Sequence, residues 1–184
     1  MTAELYLIRH SRAAGQEPEA PLTVEGRDQA LRLRDRLSGL PITRIVSSPF
    51  LRARDSAAPL AERLGLVVRI DDRLAERVLA AEPAEDWRDR LRRSFADPAL
   101  AWPGGESGAA ATARGLAALA DAAAGAAAGA EGPVAIVSHG NLLALLLHSL
   151  DRRDGFAAWA ALSNPDVFHI DPAGTVRRCW KDDE

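Results

Sequence analysis

The sequence predicts an α/β fold, a three-layer α/β/α sandwich with a mostly parallel central sheet. Apolar segments of strand length alternate with segments of helical periodicity along most of the chain. Strand candidates such as residues 134–137 (VAIV) are apolar on both faces and therefore need helices on both sides. The 184 residues, 47% of them hydrophobic, include no linker that would divide the chain. We therefore predict one domain over residues 1–184.

Local patterns define the first strand and the first helix. Residues 4–9 (ELYLIR) alternate in polarity, which is typical of a strand. Thr23 is suited to cap a helix, and apolar residues recur at helical spacing from there to Leu37. Ser38 and Gly39 then end this helix.

The next segments continue the alternation of strand and helix. A second strand is predicted at 43–46 (TRIV), and a helix follows from about 49 to 64. Gly65 ends that helix, because glycine readily adopts the left-handed conformation of a C-terminal cap. A third strand is predicted at 66–70 (LVVRI).

The second half of the chain opens with a less regular segment. We interpret residues 71–105 as an insertion that contributes to the functional site, with a short helix at about 84–95. A long alanine-rich helix is predicted at 106–129, and a fourth strand at 134–137. The remaining elements are predicted as a buried, apolar helix at 141–150 and two short strands at 167–170 and 175–179.

Composition excludes several classes of function. The 26 acidic and 23 basic residues give a net charge of −3, which provides no field for nucleic acid or an anionic membrane. A single cysteine excludes a disulfide framework and a cysteine-rich zinc site. The chain has no signal-peptide pattern at its start and no apolar run of about 18 residues, so we expect a cytoplasmic protein.

Ionisable residues cluster where the predicted parallel strands end. In order along the chain, these residues are Arg9, His10, Arg52, Glu76 and His139. The carboxyl ends of parallel strands meet at one edge of the sheet, so these side chains should converge. Arginine matches phosphate oxygens, histidine can attack phosphorus, and a carboxyl group can act as acid and then base, without a metal ion. The pattern alone leaves phosphoryl transfer and a structural role for these side chains equally open.

Six short segments, in this order, resemble the signatures of the histidine phosphatase superfamily, the phosphoglycerate mutase-like family. They are LIRH at 7–10, PLT with Gly26, Gln29 and Ala30 from 21, SSPFLRA at 47–53, LAE at 74–76, PGGES at 103–107 and VSHGN at 137–141. The resemblance implies a phosphoglycerate mutase-like α/β/α sandwich, and it implies that neither a cofactor nor a metal ion is needed.

The resemblance also implies a role for each matching residue. His10 would be the phosphorylated nucleophile, Arg9 and Arg52 would clamp the phosphoryl group, His139 would complete the pocket, and Glu76 would be the general acid and base. Substrate-binding contacts are expected from Ser11, Gly140 and Asn141, and at the pocket rim from Glu106 and Ser107. Gly140 would let the backbone approach the pocket closely.

Two departures from the family pattern bear on the site. Ser11 stands where the family usually has glycine, and its hydroxyl would add a contact or narrow the access to the pocket. The segment after Glu76 lacks the usual downstream glycine, so Glu82 and Glu85 stay open as alternative acids. Trp87, like Phe95 and Trp102, is expected either in the core or in the pocket.

The sequence therefore predicts a phosphomonoester hydrolase that acts through a phosphohistidine on a small phosphorylated metabolite. A cofactor-dependent phosphoglycerate mutase and a protein phosphohistidine phosphatase are the alternative enzymes. A non-catalytic domain that binds a phosphorylated ligand is the alternative of another class. We expect neither nucleic acid nor membrane as a partner, and a homodimer stays open.

Overall fold

A six-stranded sheet organises the computed structural model, which describes residues 3–125 and 132–182. Its strands are β1 (Leu5–Arg9), β2 (Arg44–Ser47), β3 (Val68–Ile70), β4 (Val134–Ser138), β5 (Asp166–Ile170) and β6 (Val176–Lys181). The helices are α1 (Val24–Leu37), α2 (Leu51–Leu64), α3 (Trp87–Ala96), α4 (Gly108–Ala124), α5 (Gly140–Asp151) and α6 (Gly155–Ala160), with a 3-10 helix at Asp72–Leu74. No helix in these two ranges is both long and apolar enough to cross a membrane.

The sheet is mostly parallel, as predicted. Its strand order is β3-β2-β4-β1-β5-β6. The pairs β2–β3, β2–β4 and β1–β4 are parallel, whereas β5 runs antiparallel to β1 and β6 runs antiparallel to β5. The carboxyl ends of the four parallel strands therefore share one edge, with β1 and β4 side by side at the centre.

Helices cover both faces of the sheet, which confirms the three-layer sandwich. Leu5 and Leu7 of β1 pack with α4 and α5 in one core cluster. Tyr6 and Ile8 point to the other face and pack with α1 and α2. Successive side chains of a strand point to opposite faces, so this single strand supplies both cores. Burying each of the two leucines contributes about 1.5–3 kcal/mol to folding.

Several predicted helix ends are confirmed at the atomic level. The Thr23 hydroxyl accepts a hydrogen bond from the Gly26 N–H at 2.9 Å and caps α1. Gly65 caps α2 in the left-handed conformation with a φ of 66°. The predicted helix at 106–129 is present as α4, and residues 126–129 lie outside the described part of the chain.

Other predicted boundaries were wrong by a few residues. Strand β3 begins at Val68 rather than at 66, because the Leu66 N–H still bonds the Ala61 carbonyl at the end of α2. Helix α2 begins at Leu51 and α3 begins at Trp87, two and three residues later than predicted. These shifts leave the order of the elements unchanged.

Helix α6 was missed by the sequence analysis. It has six residues, too few for a periodic pattern, and the Asp154 carboxylate caps it by accepting the Ala157 N–H at 2.7 Å. Gly155 lies against the Phe95 ring, where a β-carbon would lie 2.3 Å from Phe95 Cδ1. This close approach joins α6 to α3 and places Trp159 beside the insertion.

Candidate active site

His10 lies directly after β1, and its hydrogen bonds define its tautomer. Its Nδ1 lies 2.6 Å from the Ser11 carbonyl oxygen, which can only accept a hydrogen bond, so Nδ1 carries the proton. Its Nε2 accepts a hydrogen bond from Arg52 Nε at 3.2 Å. The His10 ring is therefore neutral, and the lone pair of a nucleophile is on Nε2.

Arg52 reaches His10 from the first turn of α2. Its side chain is buried, and its NH1 group donates to the carbonyls of Gln16 and Glu17 at 3.0 and 2.9 Å. The guanidinium also lies 4.8 Å from the centre of the Phe50 ring. These contacts fix the plane of the guanidinium, so that its Nε points at His10 without rearrangement.

Arg9 is the last residue of β1, and backbone carbonyl groups hold its guanidinium. Its NH1 group donates to the Leu162 and Ser163 carbonyls at 3.0 and 3.2 Å. A β-carbon at Gly140 would lie 3.1 Å from Arg9 Nε and 3.2 Å from its Cζ. Glycine is therefore the residue that admits the Arg9 guanidinium to this position.

His139 directly precedes α5, and its ring packs against the ring of His10. Its ring is fully buried, and its centre lies 5.0 Å from the centre of the His10 ring. Its Nε2 lies 2.7 Å from the Ser48 hydroxyl oxygen. The other ring nitrogen, Nδ1, is buried and has no hydrogen-bond partner among the described residues.

Glu76 lies at the N-terminus of α5. Its carboxylate accepts the Asn141 and Leu142 N–H groups, each at 3.0 Å, and the Arg77 N–H at 2.9 Å. The unpaired N–H groups and positive end of a helix suit a carboxylate. Glu76 is the only acidic side chain among the residues that line the cavity, and the alternatives Glu82 and Glu85 are exposed outside it.

A cavity of about 510 Å³ opens in front of these groups. Arg9, His10, Glu76 and Gly140 line its polar end. Arg52 and His139 contact His10 from behind but do not line the cavity. The structure thus brings together all five side chains for which a catalytic role was predicted.

The predicted substrate-binding residues divide into two groups. Gly140 and Asn141 line the cavity, and the Asn141 Oδ1 atom is buried with no partner within the described ranges. Ser11 is fully buried beside the cavity rather than in its lining. Its N–H donates to the Ser56 hydroxyl at 2.9 Å and its carbonyl accepts from His10, so Ser11 holds the nucleophile through its backbone.

Glu106 and Ser107, which were expected at the pocket rim, bond other protein groups. Neither residue lines the cavity. The Glu106 carboxylate forms a two-point ion pair with Arg114, at 2.7 and 2.8 Å. The Ser107 hydroxyl accepts the Ala110 N–H and caps α4. Both side chains are thus committed to protein partners.

Asn164 and Arg77 are polar residues of the site that the sequence analysis missed. Asn164 lines the cavity, and its amide donates to the His10 carbonyl at 2.7 Å from 154 residues away. Arg77 is also in the lining, with its Nε bonded to the Glu106 carbonyl at 2.9 Å and its NH1 to the Ser94 hydroxyl at 2.8 Å. No local sequence pattern predicts either contact, because both depend on how segments that are distant in sequence pack together.

Burial and positive charge keep both histidines neutral. Burial is the main cause that lowers the pKa of His10 from 6.5 to about 3, and the guanidinium groups of Arg52 and Arg9 add to it. Burial is also the main cause that lowers the pKa of His139 well below its ordinary value. His10 therefore keeps its lone pair throughout the physiological range.

We expect the free energy of unfolding to fall as the pH drops from about 6.5 towards 3. In this window the unfolded chain protonates both histidines, while the folded chain keeps them neutral. Because the unfolded chain binds more protons, acidification stabilises the unfolded state relative to the folded state. Each such group contributes up to about 1.4 kcal/mol per pH unit. The free energy of unfolding can be measured by urea denaturation at a series of pH values. Its decrease per pH unit should be smaller for His139→Gln than for the unmodified chain.

The control for this prediction is His148→Gln, which removes an imidazole from outside the cavity. The change in its free energy of unfolding per pH unit should differ less from that of the unmodified chain than the value for His139→Gln does. Equal values for all three proteins would contradict the prediction.

Comparison with known proteins gives concordant matches. The profile of a family described as "Histidine phosphatase superfamily (branch 1)" matches residues 5–180. The chain is 32% identical over 122 residues to a probable phosphoglycerate mutase, GpmB, of Salmonella choleraesuis, a match that covers 56% of this chain and 55% of that protein. The chain thus spans about half the length of the curated relatives it matches.

Two solved structures extend the comparison to nearly the whole chain. A mycobacterial glucosyl-3-phosphoglycerate phosphatase in complex with VO3 superposes with a TM-score of 0.79 at 28% identity, over 97% of this chain and 99% of that one. A phosphoglycerate mutase from Bacillus anthracis superposes with a TM-score of 0.74 at 19% identity, over 96% and 91% of the two chains. The second likeness shows a shared fold alone.

Proposed function

Because the chain belongs to branch 1 of the histidine phosphatase superfamily, we propose that it hydrolyses a phosphomonoester of a small metabolite through a phosphohistidine at His10. The observation that carries the proposal is the state of the His10 ring. Its proton is on Nδ1, held by the Ser11 carbonyl, and its unprotonated Nε2 accepts a hydrogen bond from the Arg52 guanidinium. This is the protonation state and the surrounding charge that attack on a phosphate dianion requires.

In the first step, His10 Nε2 attacks phosphorus and the bond from phosphorus to the leaving oxygen breaks. Arg9 and Arg52 stabilise the negative charge on the phosphoryl oxygens, and the Nε of Arg52 exchanges its bond to His10 for a bond to one of them. His139 contributes to binding the phosphoryl group through its Nδ1, which has no hydrogen-bond partner among the described residues. The Glu76 carboxyl group, which must carry a proton in the complex with the substrate, transfers that proton to the leaving oxygen, so the alcohol departs neutral.

In the second step, water replaces the alcohol. The Glu76 carboxylate takes a proton from this water as its oxygen attacks phosphorus, and the N–P bond breaks with its electron pair returning to Nε2. Inorganic phosphate leaves, and the original states of His10 and Glu76 are restored. The position of Glu76 at the cavity, fixed by two α5 N–H groups, supports both of its roles.

The similar proteins support this proposal and one competing reaction. The mycobacterial protein is named a glucosyl-3-phosphoglycerate phosphatase, which is a small-metabolite phosphatase. The Salmonella protein is named a probable phosphoglycerate mutase, so phosphoryl transfer between two positions of one substrate is the second candidate. The two reactions share the first step and differ in whether water or an organic hydroxyl receives the phosphoryl group.

The proposal is tested by measuring phosphate release from a panel of phosphomonoesters in the presence of a metal chelator. We expect release of inorganic phosphate, and transient labelling of His10 when a ³²P-labelled substrate is quenched in alkali, where phosphohistidine persists. Interconversion of 2- and 3-phosphoglycerate without phosphate release would indicate the mutase instead. Tight binding of vanadate with no turnover would indicate a domain that only binds phosphorylated ligands.

A further inference from the structure

An apolar surface lines part of the same cavity. It consists of Leu79, Pro83, Ala84, Trp87, Leu91 and Trp159, and we call it the aromatic wall. Residues 79–91 of this wall come from the insertion, and Trp159 comes from α6. Two segments far apart in sequence thus meet to place two indole rings in the lining of one cavity.

Trp87 is not packed as a core residue. It is 46% exposed, although it is among the largest apolar side chains of the chain. Its ring contacts the Trp159 ring edge-on, with centres 5.7 Å apart and planes at 81°. This geometry fixes the orientation of both indoles and leaves part of Trp87 free to contact a ligand.

The cavity is larger than a phosphoryl group requires. Its volume of about 510 Å³ lies in the range of roughly 300–1,000 Å³ typical of sites that enclose a whole organic ligand. The phosphoryl group occupies the polar end, beside Arg9 and His10. The organic part of the substrate must therefore extend into the remaining space, which the aromatic wall borders.

Two arginines in the rest of the lining, Arg12 and Arg77, bond protein partners. The Arg12 guanidinium forms an ion pair with Glu25 at 2.7 Å. Arg77 uses its Nε and NH1 groups on the Glu106 carbonyl and the Ser94 hydroxyl, and its buried NH2 is the one nitrogen of that guanidinium without a partner in the described chain. The lining outside the phosphoryl end thus offers more apolar contact than free charge.

We propose that the leaving group of the substrate is an alcohol that carries an apolar ring, and that this ring packs on Trp87 and Trp159. The inference rests on the proposed hydrolase function and specifies its substrate class. Burial of a ring against two oriented indoles favours ring-bearing esters over small polar esters by the area removed from water and by ring–ring contact.

The test compares benzyl phosphate with ethyl phosphate. Both esters release a primary alcohol of similar basicity, so a difference in kcat/KM reports recognition of the ring rather than the intrinsic ease of bond cleavage. We expect kcat/KM to be at least about tenfold higher for benzyl phosphate. Phosphoglycolate, a small ester that carries a carboxylate in addition to its phosphate, should be no better a substrate than ethyl phosphate.

Variants of the wall locate the effect. Trp87→Ala and Trp159→Ala should each lower the ratio of kcat/KM for benzyl phosphate to kcat/KM for ethyl phosphate about tenfold. Trp87→Phe keeps a ring and should restore most of the preference. Trp102→Ala is the matched control, because Trp102 belongs to the same insertion but does not line the cavity. Vanadate inhibition should stay unchanged in each variant and confirms that the phosphoryl end is intact.

The outcomes separate this inference from the function on which it rests. Equal kcat/KM values for benzyl and ethyl phosphate, or a preference for phosphoglycolate, would overturn the ring-bearing substrate and leave the hydrolase in place. A preference for benzyl phosphate that survives both alanine variants would also overturn the role of the wall. Failure to hydrolyse any phosphomonoester would overturn the proposed function itself.

Discussion

His10→Ala is expected to reduce the turnover of every phosphomonoester at least about 10⁴-fold. The change removes the only group whose lone pair is placed to attack phosphorus in the proposed mechanism. The remaining guanidinium groups still bind an anion, but water would then have to attack phosphorus directly. Steady-state phosphate release measures the loss, and ³²P labelling under alkaline quench should show no phosphoenzyme.

His148→Ala is the matched control for this loss. His148 belongs to α5, lies outside the cavity and bonds the Arg153 carbonyl through Nδ1 at 2.6 Å. Its replacement should leave turnover and phosphoenzyme labelling within about twofold of the unmodified chain. Retention of a labelled phosphoenzyme in His10→Ala would assign the nucleophile to another residue and refute the mechanism.

The parts of the fold that sequence could predict are those with local physical causes. Strand β4 is apolar from Val134 to Val137 because helices cover both of its faces. Thr23 and Gly65 mark the ends of α1 and α2 through hydrogen bonding and backbone freedom that belong to those residues alone. Such signals survive without knowledge of the rest of the chain.

The same locality explains why the phosphoryl end of the site was predictable. Arg9 ends a parallel strand and His10 and His139 each follow one, and the topology of such sheets brings strand ends together. The resemblance to a known family then placed each residue in a role. The convergence of these side chains was predictable because chain position and spatial position coincide, whereas their roles stay predictions.

Prediction was weakest where contact depends on segments distant in sequence. Glu106 was expected at the rim because it opens a helix, yet its carboxylate pairs with Arg114, two turns further along, and does not line the cavity. Trp159 belongs to a six-residue helix that periodicity does not detect. The phosphoryl end is thus readable from sequence, whereas the aromatic wall emerges only from tertiary packing.

Glu76→Gln is expected to reduce kcat/KM for ethyl phosphate by about 10²–10⁴-fold and to affect p-nitrophenyl phosphate far less. Ethoxide is too basic to leave without a proton, whereas p-nitrophenolate departs as an anion and needs no acid. kcat/KM reports the steps up to formation of the phosphoenzyme, so the contrast between the two esters isolates the acid role. The base role is lost for both esters, so a burst of p-nitrophenol should precede slow steady-state release.

Glu82→Gln and Glu85→Gln serve as the matched controls, because they test the two alternative acids by the same substitution. Both side chains are exposed and outside the cavity, so neither variant should change the ratio of the two kcat/KM values. The side chain of glutamine keeps one acceptor for the α5 N–H groups that bind the Glu76 carboxylate, and thermal unfolding of Glu76→Gln verifies that this corner of the fold is retained. An equal loss for both esters, without a burst, would show that Glu76 positions α5 but transfers no proton to the leaving group.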